Sequence, residues 1–340
     1  MVTFSCCMIV KNEADFLSRC LESIAHIMDE IIIVDTGSTD NTKEIAAKYT
    51  DKIYDFEWND NFSAARNFSF SKATMDYIYA PDADEYLDVY NQNKLRKLKQ
   101  YMDEDIEIVQ MMYNTVSEDT VLNIKNEYRP KLFKRLRPFV WVDPIHETVR
   151  LQPSVFNSDI VITHAPKSNH STRDFKIFQK AISADGYLSD TVYSMYATEL
   201  IKCGKKEDLA LAKSYFNSFI GHIEFSQKQL IAICVLTRLA RLNHDIDEIS
   251  QLISPIPDNG ASCEILYDLG MYYLEDGNYE EAIAWFAQAL DTSYILDVHT
   301  GGDLALIGLS SCYLSLGRCD EAHKYENMAN LWAMPEEDQD

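Results

Sequence analysis

Two carboxylates stand two residues apart at the end of an apolar segment of the sequence. Residues 77–80 are Tyr-Ile-Tyr-Ala, and after one proline the chain continues with Asp82, Ala83 and Asp84. At this spacing both carboxylates can turn toward one point beyond a strand's carboxyl end, where open α/β sheets bind ligands. Their oxygens suit Mg²⁺ or Mn²⁺, which bind through one or two carboxylates together with substrate phosphates. The alternative is a solvated acidic turn, and the place after an apolar strand favours the metal site.

Asp35 and Arg66 add another carboxylate and a cation at comparable places. Asp35 ends the apolar run 31–34, where a carboxylate can accept a hydrogen bond from a ribose hydroxyl or a base N–H. Its alternative is a turn-former, because residues 36–40 also favour turns. Arg66 stands near the start of a helical segment, and a helix N-terminus attracts phosphate. The alternative for Arg66 is an ordinary surface arginine.

The elements that must position these residues alternate between strand and helix over the first 90 residues. Predicted strands cover residues 4–10, 30–34, 52–56 and 76–80, and predicted helices begin near Leu17, near Asn41 and at Ser63. This order predicts a parallel sheet with right-handed crossovers, so Asp35, Asp82 and Asp84 should meet at one sheet edge. Further strands at 106–113, 131–134, 139–142 and 159–163 predict a mixed continuation, and the sequence from about residue 171 onward is helical in pattern.

The C-terminal helices contain a repeat. One unit has the small and aromatic residues of a tetratricopeptide repeat at Gly270, Tyr273, Ala282, Phe286 and Ala289, and less regular units precede and follow it. The alternative is a generic helical bundle. The change of pattern predicts two domains, residues 1–168 and residues 172–335.

Composition limits the classes of protein that this chain can represent. It has 340 residues, 46% of them hydrophobic, which is typical of a globular protein of two cores. Its net charge of −23 disfavours a nucleic-acid partner. Its eight cysteines form no C-x-x-C pair and are interpreted as reduced thiols of a cytoplasmic protein. The apolar N-terminus lacks the features of a signal peptide, and no apolar run is long enough to predict a membrane span.

The motifs occur in an order that resembles the family 2 glycosyltransferases over residues 3–165. The matching segments are residues 8–13, 34–40, 63–67 and 82–85. The resemblance implies a GT-A, Rossmann-like mixed sheet with helices on both faces, here followed by an all-α tetratricopeptide-like domain. It also implies roles for individual residues in binding a nucleotide-sugar donor. Asp35 would hold the base or ribose, Asp84 the Mn²⁺ or Mg²⁺ ion, Asp82 the ribose or a water, Arg66 the diphosphate, and the Val10, Asn12 and Glu13 segment the base.

Two later segments also resemble family members. Residues 144–149 contain His146 and Glu147, and an inverting transfer needs a base such as either of these to take the acceptor's proton. His164, at the end of a predicted strand, is a candidate further metal ligand. A structural role is the alternative for all three. The basic stretch from Lys125 to Arg137 either holds a diphosphate or acidic acceptor or forms a solvated loop and edge strand, and the second interpretation is preferred.

A family 2 domain followed by such repeats resembles the sublancin-type enzymes that glycosylate bacteriocin peptides. The resemblance implies transfer of a sugar from a UDP-linked donor to a protein or peptide acceptor, by a metal-dependent and inverting mechanism. One alternative is a transferase of cell-surface polysaccharide or lipid-linked glycan synthesis, with a glycan acceptor and repeats that form a homodimer. A nucleotidyltransferase is disfavoured because residues 11–13 contain no glycine. The last alternative is a repeat-based binding protein with an inactive N-terminal domain.

Overall fold

A computed structural model of the chain describes residues 1–103, 105–115, 126–136, 141–142, 145, 148–149, 153–165, 171–221, 225–258 and 260–332. The chain separates into two compact units, Met1–Ala181 and Ile182–Asp340. Residues 168–170 and 335 lie outside the described ones, so the predicted limits 1–168 and 172–335 stay predictions. Among the described helices, none has the length and apolar character needed to cross a bilayer.

The first unit is built on a mixed eight-stranded sheet. Its strands and those of a separate two-stranded pair are β1 (Phe4–Val10), β2 (Glu30–Asp35), β3 (Ile53–Asp55), β4 (Tyr77–Tyr79), β5 (Glu85–Tyr86), β6 (Ile108–Thr115), β7 (Asn126–Lys134), β8 (Trp141–Val142), β9 (Thr148–Val149) and β10 (Val155–His164). The large sheet has the order β3-β2-β1-β4-β7-β6-β10-β5, and β8 pairs with β9. Strands β1 to β4 are parallel, as predicted, whereas β7 runs antiparallel to both β4 and β6.

Helices pack on both faces of this sheet. They are α1 (Leu17–Ile24), α2 (Thr42–Ala46), α3 (Phe62–Phe70) and α4 (Val89–Tyr101); helix α5 (Ser171–Asp185) follows the last strand along the chain. Alternate residues of β1 point to opposite faces: Cys6 belongs to the core shared with α1, and Cys7 to the core that Phe68 of α3 covers. A strand covered on both faces needs apolar side chains at nearly every position, which explains the apolar run of β1.

A buried glutamate ties together the amino-terminal ends of the parallel strands. Glu30 begins β2, and its carboxylate accepts hydrogen bonds from Ser5 Oγ, from Lys52 Nζ at 2.6 Å and from the Thr74 N–H at 2.9 Å. Burial raises the pKa of Glu30, but these hydrogen bonds outweigh it and lower the pKa to about 2. The ionised carboxylate therefore stabilises the fold.

The second unit is helical. Its helices are α6 (Asp190–Cys203), α7 (Lys206–Asn217), α8 (Gln227–Leu242), α9 (Ile246–Ile253), α10 (Cys263–Glu275), α11 (Tyr279–Leu290), a 3₁₀ helix (Val298–Gly301), α12 (Asp303–Ser315) and α13 (Cys319–Trp332). The fully buried ring of Phe286 on α11 packs against two glycines on neighbouring helices. A Cβ atom at Gly270 would lie 2.7 Å from this ring, and one at Gly308 would lie 2.6 Å from it. Small residues at these positions therefore allow the close helix packing that the repeat pattern predicts.

Candidate functional site

The carboxyl ends of β1 and β2 lie side by side and carry two of the predicted residues. Val10 stands opposite Asp35 in the parallel register. The Val10 side chain is buried in the core, and its carbonyl accepts the Thr36 N–H at 2.9 Å and the Thr36 hydroxyl at 3.2 Å. Val10 thus fixes the start of the loop after β2.

The two oxygens of Asp35 have different surroundings. The side chain is 1% exposed, and Oδ1 accepts the backbone N–H groups of Gly37 and Ser38, both at 2.9 Å. This tight turn needs a positive φ of 102° at Gly37, which glycine adopts without strain. Oδ2 is also buried, but among the described residues it has no hydrogen-bond partner. A buried acceptor without a partner is costly, so Oδ2 is an available position for a ligand N–H or O–H.

The loop after β1 is hydrogen-bonded to the loop after β2. The Asn12 side-chain oxygen accepts the Thr39 N–H at 2.8 Å, and the Asn12 N–H donates to Ser38 Oγ at 2.9 Å. The Glu13 N–H donates to Thr42 Oγ1 at 2.7 Å. Asn12 has a φ of +56°, a conformation that asparagine tolerates better than most residues. Asn12 and the Glu13 backbone therefore hold the two loops in a fixed relation beside Asp35.

The turn after β4 brings Asp84 to His164. The Glu85 N–H donates to the Asp82 carbonyl at 3.2 Å, and β5 then pairs antiparallel with the end of β10, so that Glu85 stands opposite His164. The Ala165 N–H donates to the Asp84 carbonyl at 3.2 Å. As a result Asp84 Oδ2 lies 3.1 Å from His164 Nε2. Both side chains are about one-fifth exposed, at 20% and 22%, so a ligand can reach them.

The imidazole of His164 lies against the ring of Tyr113. Its centroid lies 4.9 Å from that of the buried Tyr113 ring, and the guanidinium carbon of Arg129 lies 4.4 Å from the Tyr113 centroid. His164 Nδ1 is buried and has no hydrogen-bond partner among the described residues. The histidine thus has a fixed ring and a nitrogen not used by the surrounding fold.

Asp82 lies between two cations. Its Oδ1 is 3.6 Å from an Arg66 guanidinium nitrogen, and its Oδ2 is 3.5 Å from Lys131 Nζ. Lys131 Nζ also lies 2.5 Å from Glu85 Oε1. The preferred interpretation of the basic stretch as a solvated edge strand is wrong for Lys131, because β7 lies between β4 and β6 and the Lys131 side chain is only 6% exposed.

The surroundings shift the pKa values of three carboxyl groups. Desolvation raises the pKa of Asp82, but Lys131 and Arg66 outweigh it and hold this pKa well below its usual range. Burial raises the pKa of Glu85 to about 7, although Lys131 opposes the rise. Burial, followed by the charges of Asp84 and Asp82, raises the pKa of Glu13 to about 7 as well. The site therefore holds more carboxylate than its cations neutralise.

The donor atoms at Asp84 and His164 fit a divalent cation that is shared with a substrate. The described residues contain no group of three or more His, Cys, Asp or Glu side chains placed to hold a metal ion. Mg²⁺ and Mn²⁺ often bind through one or two protein ligands and complete their coordination with phosphate oxygens and water. Asp84 Oδ2 and His164 Nε2 lie 3.1 Å apart and belong to side chains that are 20% and 22% exposed, so these two atoms could share such an ion.

The predicted catalytic bases cannot be placed. His146 and Glu147 lie outside the described residues, between the buried Ile145 and strand β9. Their role as the base stays a prediction.

Comparison with known proteins identifies two regions of the chain. Residues 5–150 match the model of glycosyl transferase family 2, and residues 261–329 match a tetratricopeptide repeat model. These matches confirm the predicted resemblance. With the mixed sheet and the helical second unit, they also confirm the predicted GT-A fold class with a tetratricopeptide-like region.

Individual relatives cover different parts of the chain. The SPbeta prophage-derived glycosyltransferase SunS of Bacillus subtilis strain 168 is 35% identical over 103 residues, which are 30% of this chain and only 24% of SunS. An uncharacterized glycosyltransferase of Rickettsia felis is 25% identical over 75% of this chain and 94% of its own length. The crystal structure of S. aureus TarS 1–349 in complex with UDP-GlcNAc covers 97% of this chain and 92% of its own, at 13% identity and a TM-score of 0.40.

Proposed function

Because residues 5–150 match the model of glycosyl transferase family 2, we propose that this protein moves a sugar from a nucleotide-diphosphate sugar onto an acceptor. The observation that carries this proposal is the meeting of Asp35, Asp82, Asp84 and His164 at one edge of the sheet. Two atoms there, Asp35 Oδ2 and His164 Nδ1, are buried without a hydrogen-bond partner among the described residues. A site with such atoms is suited to a polar ligand.

Asp35 would bind the nucleoside end of the donor. Its Oδ1 is occupied by the turn at Gly37 and Ser38, so Oδ2 is the atom that would accept a base N–H or a ribose hydroxyl. Asn12 and Glu13 would form the neighbouring wall, because their loop is hydrogen-bonded to the loop that follows Asp35. UDP is the nucleotide that the family resemblance implies.

The diphosphate end would lie over Arg66, Asp84 and His164. Asp84 and His164 would hold Mn²⁺ or Mg²⁺, and Asp82 would contribute through a water or a ribose hydroxyl. A bound cation supplies charge stabilisation for the departing diphosphate. Arg66 adds a fixed positive charge, and its interaction with Asp82 keeps that charge at the same edge of the sheet.

Transfer would invert the configuration of the sugar. The acceptor's oxygen or sulfur attacks the anomeric carbon, the bond from that carbon to the diphosphate oxygen breaks, and the electron pair leaves with the diphosphate. Glu147 or His146 would take the acceptor's proton. We propose a protein or peptide acceptor because the repeats form a surface of stacked helix pairs that suits an extended chain. A cytoplasmic protein with domains 1–168 and 172–335 is part of the same proposal, and a homodimer formed through the helices is the competing role for the repeats.

A donor-hydrolysis screen tests the enzyme. The purified protein is incubated with a set of nucleotide sugars, with Mn²⁺ or with a chelator, and release of the nucleoside diphosphate is measured. We expect Mn²⁺-dependent release from at least one UDP-sugar, a loss of tenfold or more in Asp84→Asn, and wild-type release in Asp159→Asn. Asp159 is the matched control because its carboxylate is 80% exposed and pairs only with Lys94 in the described structure. If the wild-type protein neither hydrolyses nor binds any nucleotide sugar, the proposal is wrong.

The acceptor is tested separately with a labelled donor. Labelled sugar should appear in peptide material that a protease degrades, and the label should be absent from protease-resistant polysaccharide or lipid extract. Label in the glycan or lipid fraction would instead support the alternative acceptor and leave the donor chemistry intact.

A further inference from the structure

A buried lysine lies beneath the candidate donor site and has no role in the function proposed above. The Lys131 side chain is 6% exposed, and its ammonium group contacts Glu85 at 2.5 Å and Asp82 at 3.5 Å. The ammonium nitrogen also lies 5.3 Å from the ring centroid of Tyr113. Lysine is almost never buried unless it is paired, so these contacts determine where its charge lies.

The fold leaves little freedom for this side chain. Strand β7 is hydrogen-bonded to β4 on one side and to β6 on the other, and the Lys131 carbonyl accepts the Ala80 N–H at 2.9 Å. Ala80 directly follows β4 and stands two residues before Asp82. The backbone of Lys131 is thus tied to the start of the turn, and its ammonium group is tied to the middle and the end of the same turn.

The contacts of Lys131 reach both sides of the Asp84–His164 pair. On one side, Glu85 is the residue directly after Asp84 and stands opposite His164 in the β5–β10 pairing. On the other side, the ring centroid of Tyr113 lies 4.9 Å from that of His164. The two oxygens of Asp82 meanwhile face Lys131 and Arg66, whereas Asp84 faces His164. Lys131 therefore pairs with Asp82 and leaves Asp84 to contact His164.

We propose that Lys131 is a positioning residue of the donor site, which acts by holding Asp82 and Glu85 so that Asp84 is presented to His164. This inference rests on the proposed function, because it assigns Lys131 to the site that would bind the nucleotide diphosphate with its cation. The competing explanation is that Lys131 contributes only to stability, as the counter-ion of a buried Glu85.

A double variant separates these two roles. Lys131→Met alone leaves the Glu85 carboxylate buried without its counter-ion, which destabilises a protein strongly. Lys131→Met/Glu85→Gln removes both buried charges and keeps side chains of similar volume, so most of the lost thermal stability should return. If Lys131 positions the turn, the double variant recovers thermal stability but still binds the donor more weakly than the wild-type protein.

The measurement is calorimetric titration of UDP in the presence of Mn²⁺, together with the melting temperature of each variant. We expect the double variant to bind UDP about 10- to 100-fold more weakly than the wild-type protein, the range for the loss of outer partners of metal ligands. Lys94→Met is the matched control, since it removes a lysine from an ion pair with Asp159 elsewhere in the same unit. That variant should bind UDP as the wild-type protein does.

The outcomes separate this inference from the function on which it rests. Wild-type affinity in the double variant would overturn the positioning role and leave only the stabilising one, with the proposed function intact. An equal loss in Lys94→Met would also overturn it, because the effect would then not be specific to Lys131. A wild-type protein that binds no UDP with Mn²⁺ would overturn the proposed function, and the role of Lys131 with it.

Discussion

The substitution Asp35→Asn separates the structural half of this side chain from the half that would bind the donor. Asparagine keeps one carbonyl oxygen, which can still accept the N–H groups of Gly37 and Ser38 that Oδ1 accepts at 2.9 Å. The amide nitrogen replaces Oδ2, the buried oxygen without a partner among the described residues. The change therefore replaces a hydrogen-bond acceptor that would face the ligand with a donor, and the hydrogen bonds to Gly37 and Ser38 are kept.

The expected magnitude follows from the one hydrogen bond that is lost. A hydrogen bond to a charged group contributes about 1.5–3 kcal/mol, and about 1.4 kcal/mol corresponds to a tenfold change in affinity. Asp35→Asn should thus weaken nucleotide binding by about 10- to 100-fold. Uridine without phosphates should lose as much as UDP does, because Asp35 would contact only the nucleoside. The melting temperature should change little in Asp35→Asn and fall clearly in Asp35→Ala, which loses both turn hydrogen bonds.

The assay is calorimetric titration of uridine and of UDP, with thermal unfolding of each variant. Asp159→Asn supplies the same chemical change at a carboxylate that is 80% exposed, and it should behave as the wild-type protein. The reasoning is refuted if Asp35→Asn binds uridine with wild-type affinity. It is also refuted if the Asn and Ala variants lose the same stability, because Oδ1 would then not be the atom that holds the turn.

Three further predictions concern the metal pair, the sheet and the repeat. Asp84→Asn should weaken Mn²⁺-dependent UDP binding tenfold or more in calorimetry and leave uridine binding unchanged. Glu30 has a pKa of about 2 in the folded protein, below its unfolded value, so its stabilisation is present above about pH 4.5 and is lost as the pH falls toward 2. Urea unfolding at pH 6 and pH 3.5 should therefore show a steeper loss of stability in the wild-type protein than in Glu30→Gln, with a full contribution on the order of 3 kcal/mol. Gly270→Ala should cost about 1–3 kcal/mol in unfolding free energy, because its Cβ would lie 2.7 Å from the buried Phe286 ring. Ser311→Ala on α12 is the control, and its unfolding free energy should stay close to that of the wild-type protein.

The first strands were predictable because burial on both faces gives a signal within a few residues. Strand β1 occupies residues 4–10, as predicted, and β2 extends the predicted strand by one residue to Asp35. No comparable pattern marks α4, because its buried residues are only Asn91 and Leu95 while its hydrophobic residues Val89, Tyr90 and Tyr101 are exposed. Strand β5 has two residues, too few for any periodicity.

Strand ends pointed to Asp35, Asp82 and Asp84 because parallel strands bring their carboxyl ends to one edge. Lys131 could not be found in this way. Its burial depends on the insertion of β7 between β4 and β6, and that long-range pairing leaves no mark in the local pattern of a basic stretch. The contact between Asp84 and His164 is likewise set by the pairing of β5 with β10, and these two residues lie 80 positions apart in the sequence.

The charges at the site explain why donor and cation should bind together. Glu13, Asp82, Asp84 and Glu85 lie near the place proposed for a diphosphate, and Arg66 and Lys131 are already engaged with Asp82. An added diphosphate would face repulsion there unless positive charge arrives with it. Without Mn²⁺, the nucleoside end at Asp35 should supply nearly all of the affinity, so UDP should bind no better than uridine. With Mn²⁺, the same carboxylates become an attraction for the cation, and the gain of UDP over uridine measures the coupling between the two ligands.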